Sequence, residues 1–312
     1  MTAPHSFDPA LSAFLARYDH QPGEESPVAV FDCDGTMIQG DIGEAMFHRQ
    51  IEQFWFRCSP ASVWPDHPAR GEIDDLYQAL RGVPEGSQQE RQEFSAFADY
   101  LISWYIDQIK NGMVAKACTD IVRLFTGFTR EEVRALAHSV WEHELASSLR
   151  PRRLGSATVP SGIRYLRPAV DLLRELQRRH FDVWVISGSN LWSVEAVFAP
   201  LGVPADRIIG IDLREREGRL SAEEVTPVPI REEKVAAFHL RIRERPLLVA
   251  SDSKNDIPLF LDARELKVRI NSRHRDTDDF FRSVGTPADA TWVLIEQPEI
   301  IEQMEFPWQI QH

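Results

Sequence analysis

Residues 28–37 read Val28-Ala-Val-Phe-Asp-Cys-Asp-Gly-Thr-Met37, a short apolar run that ends in two carboxylates and a Gly-Thr turn. The first four residues are typical of a strand that is buried on both faces in a parallel sheet. Because side chains alternate along a strand, Asp32 and Asp34 are expected on the same face, and Gly35 turns the backbone out of the sheet. Two carboxylates are costly to place there without a cation or a reaction that uses them. The alternative is a strand that ends in an Asx turn.

Three further segments place polar side chains after an apolar run or at the start of a helix. They are Val183-Trp-Val-Ile-Ser-Gly-Ser189, which ends a strand at Ser187; Lys234 within Arg-Glu-Glu-Lys-Val-Ala; and Ser251-Asp-Ser-Lys-Asn-Asp256. Where parallel strands alternate with helices, ligands bind at the carboxyl ends of the strands. The sequence therefore predicts that these segments and the first one meet at one edge of a sheet.

The pattern of apolar residues predicts an α/β fold with a parallel sheet that is covered by helices on both faces. Beyond the first strand, strands are predicted at 182–187, 247–251, 266–270 and 291–295, and helices at 168–179, 190–201 and 231–243. An amphipathic helix is predicted at 8–20. Residues 208–213 and 219–221 are predicted to form a small hairpin.

Composition places the chain among folded globular proteins and argues against nucleic acid as a partner. Of its 312 residues, 43% are hydrophobic and 27% are charged, which is ordinary for such proteins. The 48 acidic and 35 basic residues give a formal net charge of -13, which repels polyphosphate. Small phosphorylated substrates remain possible, because a metal ion and a local lysine can reverse the field inside one cleft.

The cysteines and the N-terminal residues predict a cytoplasmic protein. Cys33, Cys58 and Cys118 show no metal-type spacing, and their odd number cannot form a closed disulfide framework. The alternation along the first strand turns Cys33 away from the two aspartates, so we expect it in the apolar core. No export signal is apparent at the start of the chain, and no segment is apolar for long enough to span a membrane.

The segment Asp-x-Asp-Gly-Thr at 32–36 resembles motif one of the haloacid dehalogenase-like superfamily. The segments at Ser187, at Lys234 and at 251–256 are similar to its motifs two, three and four, and they occur in the order that the superfamily requires. The resemblance covers residues 28–39 and about 160–272. It implies a Rossmann-like doubly wound core and an enzyme that acts on phosphate monoesters.

The region between the first strand and about residue 160 is predicted to be an all-helical insertion. An insertion directly after motif one is similar to the helical cap of the phosphoserine phosphatase-like branch, which excludes water and selects substrate. We therefore predict an N-terminal helical extension at 1–27, a core at 28–39 and 160–312, and a helical cap at 40–159. Within the return to the core, Arg150 to Gly162 is interpreted as a solvated connector.

The resemblance implies a reaction through an aspartyl-phosphate, and the residue types fit it. Asp32 would be the nucleophile, and Asp34 would protonate the leaving alkoxide and then deprotonate water. Ser187, Gly188 and Lys234 would hold the phosphoryl oxygens. Dehalogenases of the superfamily lack the second aspartate, because a halide leaves without a proton, so Asp34 favours phosphoryl transfer.

The resemblance also implies Mg2+ as the cofactor, because this ion prefers oxygen ligands. The matching ligand positions are the Asp32 carboxylate, the backbone carbonyl of Asp34 and the Asp252 carboxylate. Asp256 would support the site from behind these ligands or through a metal-bound water. Asn255 matches a polar position of the phosphoserine phosphatase branch, and an N-capping role for the following helix is the alternative.

Asp41 and Glu44 are the candidates for recognising the alcohol part of the substrate. Asp41 lies at the position where phosphoserine phosphatases carry a glutamate that binds the substrate ammonium. The alternative is that both acids complement the dipole of a helix N-terminus. Large aromatic residues near carboxylates also suit a quaternary ammonium; in the insertion these are Phe47, Phe54, Trp55, Phe56, Trp64, Tyr77, Trp104, Tyr105 and Trp141.

The resulting hypothesis is a Mg2+-dependent phosphatase for a small phosphorylated metabolite that bears an amine. The substrate would be similar to phosphoserine, phosphocholine or phosphoethanolamine. One alternative is a phosphotransferase that passes the phosphoryl group to an alcohol. Another is a binding protein for a phosphometabolite that has lost catalysis, although all of the candidate catalytic side chains are present. The sequence does not indicate an oligomeric state.

Overall fold

The computed structural model describes residues 7–18, 26–84, 87–271, 291–296 and 299–302. In this part of the chain, the helices are α1 Pro9–Arg17, α2 Ile42–Glu52, α3 Pro60–Val63, α4 Arg70–Arg81, α5 Gln92–Lys110, α6 Val114–Arg123, α7 Arg130–Ala146, α8 Arg167–Arg178, α9 Leu191–Phe198, α10 Glu232–His239 and α11 Ile257–Asp262. The strands are β1 Val28–Phe31, β2 Ile38–Gln39, β3 Arg152–Leu154, β4 Ala157–Val159, β5 Arg164–Leu166, β6 Asp182–Asn190, β7 Ile208–Ile211, β8 Leu213–Arg216, β9 Arg219–Glu224, β10 Leu248–Ser251, β11 Leu266–Asn271, β12 Thr291–Glu296 and β13 Ile300–Ile301.

A parallel sheet with the strand order β12-β11-β10-β1-β6-β7 forms the centre of the molecule. Strand β1 lies between β10 and β6, and Phe31 is paired with Ala250 on one side and with Val185 on the other. Each of these three strands carries one of the polar segments at its carboxyl end. The predicted α/β fold class is therefore confirmed, and so is the predicted convergence of the segments at one edge of the sheet.

The sheet is apolar on both faces because its strands are continuous hydrophobic runs. Val28 and Val30 pack on one face with Phe238 of α10 and Phe260 of α11. On the opposite face, an apolar cluster contains Phe31 and Cys33, the leucines of α8 and the inner side of α9. Cys33 is fully buried in that cluster, as the alternation along β1 predicts.

The insertion after β1 is helical from α2 to α7, and its apolar cluster is continuous with the second face of the sheet. The interpretation of residues 150–162 as a solvated connector is wrong in part. Strands β3 and β4 pair antiparallel there, and Leu154 and Val159 are buried. The two buried positions hold this short hairpin against the helices.

The prediction of a hairpin between 208–213 and 219–221 is also wrong in its first strand. Ile208–Ile211 is β7, a parallel edge strand that pairs with β6, and the hairpin is formed by β8 and β9. The physical reason is burial: Ile208, Ile209 and Ile211 lie in the core, whereas Arg214 to Arg216 are exposed. The remaining predicted strands and helices are found with ends that differ by a few residues.

The β8–β9 hairpin connects the core to the insertion. The Gly127 N–H donates to the Leu220 carbonyl over 2.8 Å, and the Leu220 N–H donates to the Phe128 carbonyl over the same distance. Arg130 of α7 forms an ion pair of 2.8 Å with Asp212, directly before β8. These contacts hold the insertion over the carboxyl edge of the sheet.

Two predicted features fall at the limits of the described residues. Residues 1–6 and 19–25 of the predicted N-terminal extension, and the part of the predicted core beyond residue 302, lie outside them. Helix α1 confirms the predicted N-terminal amphipathic helix, with Leu11, Phe14 and Leu15 buried. Among the described residues, no helix is long and apolar enough to cross a membrane.

Candidate active site

One cavity of about 1240 Å³ lies between the carboxyl edge of the sheet and the inserted helices. The polar and glycine site residues that the sequence suggests all lie in its wall. From the core these are Asp32, Asp34, Ser187, Gly188, Lys234, Asp252, Asn255 and Asp256, and from the insertion they are Asp41 and Glu44. Strands that are adjacent in the sheet thus place residues close together that are up to 224 positions apart, from Asp32 to Asp256.

Lys234 connects two of the carboxylates at the base of the cavity. Its Nζ atom lies 2.8 Å from Asp32 Oδ1 and 2.6 Å from Asp256 Oδ1. The Ser251 hydroxyl donates to the other oxygen of Asp256 over 2.5 Å. All three charged side chains are buried, so the ammonium is held in one place between its two partners.

Asp34 is held by three donors from two different parts of the chain. The Ile42 N–H, at the start of α2, donates to Oδ1 over 2.8 Å. The hydroxyls of Ser187 and Ser189 donate to Oδ2 over 3.1 and 2.7 Å. This arrangement fixes the carboxyl group at the point where the core meets the insertion.

Thr36 and Gly35 bring Asp252 close to Asp32. The Thr36 hydroxyl lies 3.2 Å from Asp32 Oδ2 and 3.3 Å from Asp252 Oδ1, within reach of both acceptors. A Cβ atom at Gly35 would lie 2.3 Å from Asp252 Oδ2, and the φ angle of Gly35 is +73°. Glycine is therefore required at this turn for the Asp252 carboxylate to approach it.

The carboxylates of Asp32 and Asp252 and the backbone carbonyl of Asp34 form a set of oxygen donors that fits Mg2+. Among the described residues, no three side chains of the His, Cys, Asp or Glu types form a group that could hold a metal ion. The Asp34 carboxyl group is occupied by its three donors, which leaves its backbone carbonyl as its predicted ligand atom. Asp32 and Asp252 would supply the carboxylates, and water would complete an octahedral oxygen shell.

Burial controls the protonation of the two aspartates of motif one. It raises the pKa of Asp32 to about 7, although the nearby Lys234 acts in the opposite direction. It also raises the pKa of Asp34 to about 7, and the charge of Asp41 adds to this effect. Burial alone would lower the pKa of Lys234, but Asp256 and Asp32 reverse this and raise it. Lys234 is therefore a permanent cation beside the predicted nucleophile.

Asp41 and Glu44 form the wall of the cavity at the N-terminus of α2. Asp41 is the N-cap, and its carboxylate accepts a hydrogen bond of 2.8 Å from the Glu44 N–H. The Tyr105 hydroxyl donates to Glu44 Oε1 over 2.9 Å. Both acids also line the cavity, so the helix-capping interpretation and the substrate-binding interpretation are compatible for this pair.

The aromatic residues of the insertion do not form a cage around the cavity. Of the nine rings named from the sequence, Tyr105 is the one that the described cavity wall contains. The others lie in the apolar cluster or pack against it, including Phe47, Trp64 and Trp141. They stabilise the insertion, and they give no support to a binding site for a quaternary ammonium.

Asn255 lies at the rim and does not cap a helix. Its side-chain oxygen accepts a hydrogen bond of 3.3 Å from Arg231 Nε, while Ser253 caps the short turn of 3-10 helix at 254–256. The N-capping alternative for Asn255 is therefore wrong. Arg231 precedes α10 with a φ angle of +55°, a strained conformation for a residue with a long side chain.

Several residues of the site have no role assigned from the sequence. Ser189 could have been found by counting two positions past Ser187 on the same strand face. Thr36 lies two positions after the second aspartate of the first motif. Tyr105 is named from the sequence as one of nine aromatic residues, but neither it nor His48 carries a local signal for the site, because both reach the cavity through the packing of the inserted helices.

A family model for haloacid dehalogenase-like hydrolases matches residues 29–261. The chain therefore belongs to the haloacid dehalogenase-like hydrolase family. This confirms the predicted superfamily and the prediction of an enzyme, and the site described above agrees with a phosphoric monoester hydrolase. No curated protein has a significant match to the chain.

Three solved structures that are similar to this chain share little sequence with it. A conserved protein of unknown function from Anaerococcus prevotii DSM 20548 gives a TM-score of 0.69 at 18% identity, over 88% of this chain and 87% of its own. A protein of unknown function from Bordetella pertussis Tohama I gives a TM-score of 0.53 at 15% identity, over 87% of this chain and 99% of its own. A phosphoserine phosphatase, as an analogue of its phospho-aspartyl intermediate, gives a TM-score of 0.46 at 14% identity, over 88% of this chain and 96% of its own. At such identities the first two similarities show the fold alone.

The buried His48, on α2, makes a contribution to the stability of the fold that should be lost in mild acid. Burial lowers its pKa to about 3 from 6.5, and Arg152 acts in the same direction. Because the unfolded chain binds the proton more tightly, this stability is complete above pH 6.5 and is lost as the pH falls toward 3. At about pH 5.5 the loss is about 1.4 kcal/mol.

Urea unfolding at about pH 7.5 and about pH 5.5 measures this effect. The carboxyl groups with a raised pKa, such as Asp34, add stability as the pH falls over the same range, so the difference between the parent and a variant isolates His48. We expect the change in the free energy of unfolding from about pH 7.5 to about pH 5.5 to be more favourable in His48→Gln than in the parent by about 1 kcal/mol. His138→Gln, at an exposed position of α7, is the matched control. Equal changes in the parent and in His48→Gln would contradict the assignment.

Proposed function

We propose that the chain is a Mg2+-dependent phosphatase that hydrolyses a small, amine-bearing phosphate monoester through an aspartyl-phosphate on Asp32. The observation that carries the proposal is the arrangement around Asp32 and Asp34. One carboxylate is paired with a buried lysine at 2.8 Å, and the other is held by two hydroxyls and a backbone N–H at the same cavity. A nucleophile and a proton donor are thus fixed side by side.

The residues that would hold Mg2+ are Asp32, Asp252 and, through its backbone carbonyl, Asp34. When bound, the ion neutralises the negative charge of the phosphoryl oxygens and of the clustered carboxylates. Asp256 is bound to Lys234 and to Ser251, so it supports the site by fixing the position of the lysine.

The reaction begins with the attack of an Asp32 carboxylate oxygen on phosphorus. Lys234 and the Ser187 hydroxyl stabilise the phosphoryl oxygens, and Gly188 allows the backbone to approach them. Asp34 donates a proton to the leaving alkoxide, and its carboxylate then takes a proton from the water that hydrolyses the aspartyl-phosphate. The pKa of Asp34, raised to about 7 by burial and by Asp41, suits a group that serves in both forms near neutral pH.

The amine preference rests on the acids of α2. Asp41 and Glu44 line the cavity beside the proton donor Asp34, and Tyr105 orients the Glu44 carboxylate. Carboxylates attract a primary ammonium directly. A quaternary ammonium would need aromatic faces, and the described cavity wall offers one ring among those named from the sequence. Phosphoethanolamine-like substrates are therefore favoured over phosphocholine-like ones.

A comparison of phosphoethanolamine with propyl phosphate in the presence of Mg2+ tests the amine preference. The parent should have a higher kcat/KM for the amine ester, and Glu44→Gln should reduce this ratio by about tenfold, since the substitution removes the charge and keeps the shape. Glu142→Gln, at an exposed position of α7, is the matched control and should keep the ratio of the parent. A parent without any preference for the amine ester would refute this part of the proposal.

We further propose a cytoplasmic enzyme that acts on metabolites and binds no nucleic acid. Cys33, Cys58 and Cys118 are all free thiols, in agreement with a reducing compartment. The net charge of -13 leaves polyanions without an electrostatic driving force. The convergence of all the candidate catalytic side chains on one cavity argues against a binding protein that has lost catalysis.

A further inference from the structure

The inner face of α2 extends from the catalytic aspartates along the cavity wall. Asp41 caps the helix, and Glu44 and His48 follow one turn apart, so that both side chains lie on the same helix face. All three residues line the cavity. Protein groups donate hydrogen bonds to the carboxylates of Asp41 and Glu44. His48 has no such partner among the described residues.

His48 is a buried polar side chain without a hydrogen-bond partner among the described residues. It is 5% exposed, and its ring packs beside that of Phe47, with 5.6 Å between the centroids. Buried polar groups in folded proteins are nearly always hydrogen-bonded. An imidazole that faces a cavity without a partner is therefore available to a molecule that enters the cavity.

The charge around His48 restricts the chemistry of that molecule. Burial lowers the pKa of His48 to about 3, so the imidazole is neutral near pH 7 and offers one N–H donor and one nitrogen acceptor. Of the acids that line the same cavity, Asp41 and Glu44 lie on α2 with His48, and Glu144 lies on α7. The cation that acts on His48 is Arg152, which is paired with Glu52 over 2.8 Å.

A carboxylate would gain no ion pair from a neutral imidazole. It would also add negative charge near Asp41, whose pKa burial and the charge of Glu44 already raise to about 7. A carboxamide carries no charge and matches both the donor and the acceptor of the imidazole.

We infer that His48 binds a neutral hydrogen-bonding group of the substrate, which is the phosphate monoester of an amino alcohol that also carries a carboxamide. This inference rests on the proposed function, because it requires the phosphate at Asp32 and the ammonium at Asp41 and Glu44. His48 then determines specificity at the next position along α2. It selects against an amino alcohol that carries a carboxylate.

Three matched esters test the inference: phosphoethanolamine, O-phosphoserine and O-phosphoserinamide. They share the phosphate and the amine, and they differ in having no further group, a carboxylate or a carboxamide. The parent should have a kcat/KM for the serinamide ester that is about fivefold or more above that for phosphoethanolamine, and further above that for phosphoserine. His48→Phe should remove this advantage, and His48→Gln, which keeps a donor and an acceptor, should restore much of it.

The exposed His138 provides the control, since His138→Phe makes the same chemical change outside the cavity and should leave the ratio of the parent intact. A parent that prefers phosphoserine, or that treats the serinamide and ethanolamine esters alike, overturns the inference and leaves the phosphatase proposal standing. An unchanged ratio of kcat/KM between the serinamide and ethanolamine esters in His48→Phe would also overturn the inference and leave the phosphatase proposal standing. A parent that hydrolyses none of the three esters with Mg2+ overturns both.

Discussion

Asp32→Asn is expected to lower the kcat for phosphate-ester hydrolysis by about 10⁴-fold or more, because an amide cannot replace the carboxylate as the attacking group. The substitution keeps the shape of the side chain beside Lys234 and Thr36, so the fold should persist. Steady-state assays with p-nitrophenyl phosphate and Mg2+ measure the effect, with the parent assayed under the same conditions.

Asp107→Asn, at an exposed position of α5, is the control for the chemical change itself and should retain the activity of the parent. Circular dichroism and the urea midpoint show whether Asp32→Asn is folded. A folded Asp32→Asn enzyme whose kcat lies within about tenfold of the parent would refute Asp32 as the nucleophile.

Asp34→Asn is expected to show an effect that depends on the leaving group. For an alkyl ester such as phosphoethanolamine, kcat/KM should fall by about 10³-fold, because the alkoxide needs a proton as it leaves. For p-nitrophenyl phosphate the fall in kcat/KM should be about tenfold or less, since a nitrophenolate leaves without one. With p-nitrophenyl phosphate, hydrolysis of the aspartyl-phosphate then limits the rate of turnover in Asp34→Asn. Rapid-mixing assays should therefore show a burst of nitrophenolate.

Ser189→Ala tests the same proton transfer through a residue that positions Asp34. Its hydroxyl donates to Asp34 over 2.7 Å, so its loss should reduce kcat/KM for the alkyl ester by about tenfold and change that for p-nitrophenyl phosphate less. Ser189→Thr keeps the hydroxyl and should be closer to the parent. Equal losses for both esters in Asp34→Asn and in Ser189→Ala would contradict the assignment of Asp34 as the proton donor.

The catalytic centre could be predicted from the sequence because each of its residues lies in a short segment with a recognisable local pattern. Each segment combines an apolar strand or the start of a helix with polar residues, and the parallel sheet brings the strand ends together whatever their separation along the chain. The alternation along β1 was sufficient to separate Cys33 from Asp32 and Asp34. The neighbours of β1 in the sheet are β6 and β10, and both carry polar segments of the site.

The short strands, and the cavity residues of the insertion other than Asp41 and Glu44, could not be predicted, because they depend on contacts between distant segments of the chain. Strands β2 and β5 are two and three residues long, and their pairing gives no periodic signal. Ile208–Ile211 could not be separated from the following hairpin, because a short apolar run fits both assignments. The roles of Tyr105 and His48 follow from how the inserted helices pack, which is determined by the apolar cluster rather than by any local motif.

Detection of a phosphoryl group on Asp32 during turnover tests the central claim most directly. The parent, mixed with substrate and Mg2+, would be quenched in acid within one turnover and digested, and its peptides would be analysed by mass spectrometry. With p-nitrophenyl phosphate as the substrate, we predict one phosphorylated peptide, the one that contains Asp32. It should disappear in Asp32→Asn and accumulate in Asp34→Asn. Phosphorylation of another residue, or turnover by the parent at full rate with Asp32 never modified, would contradict the account.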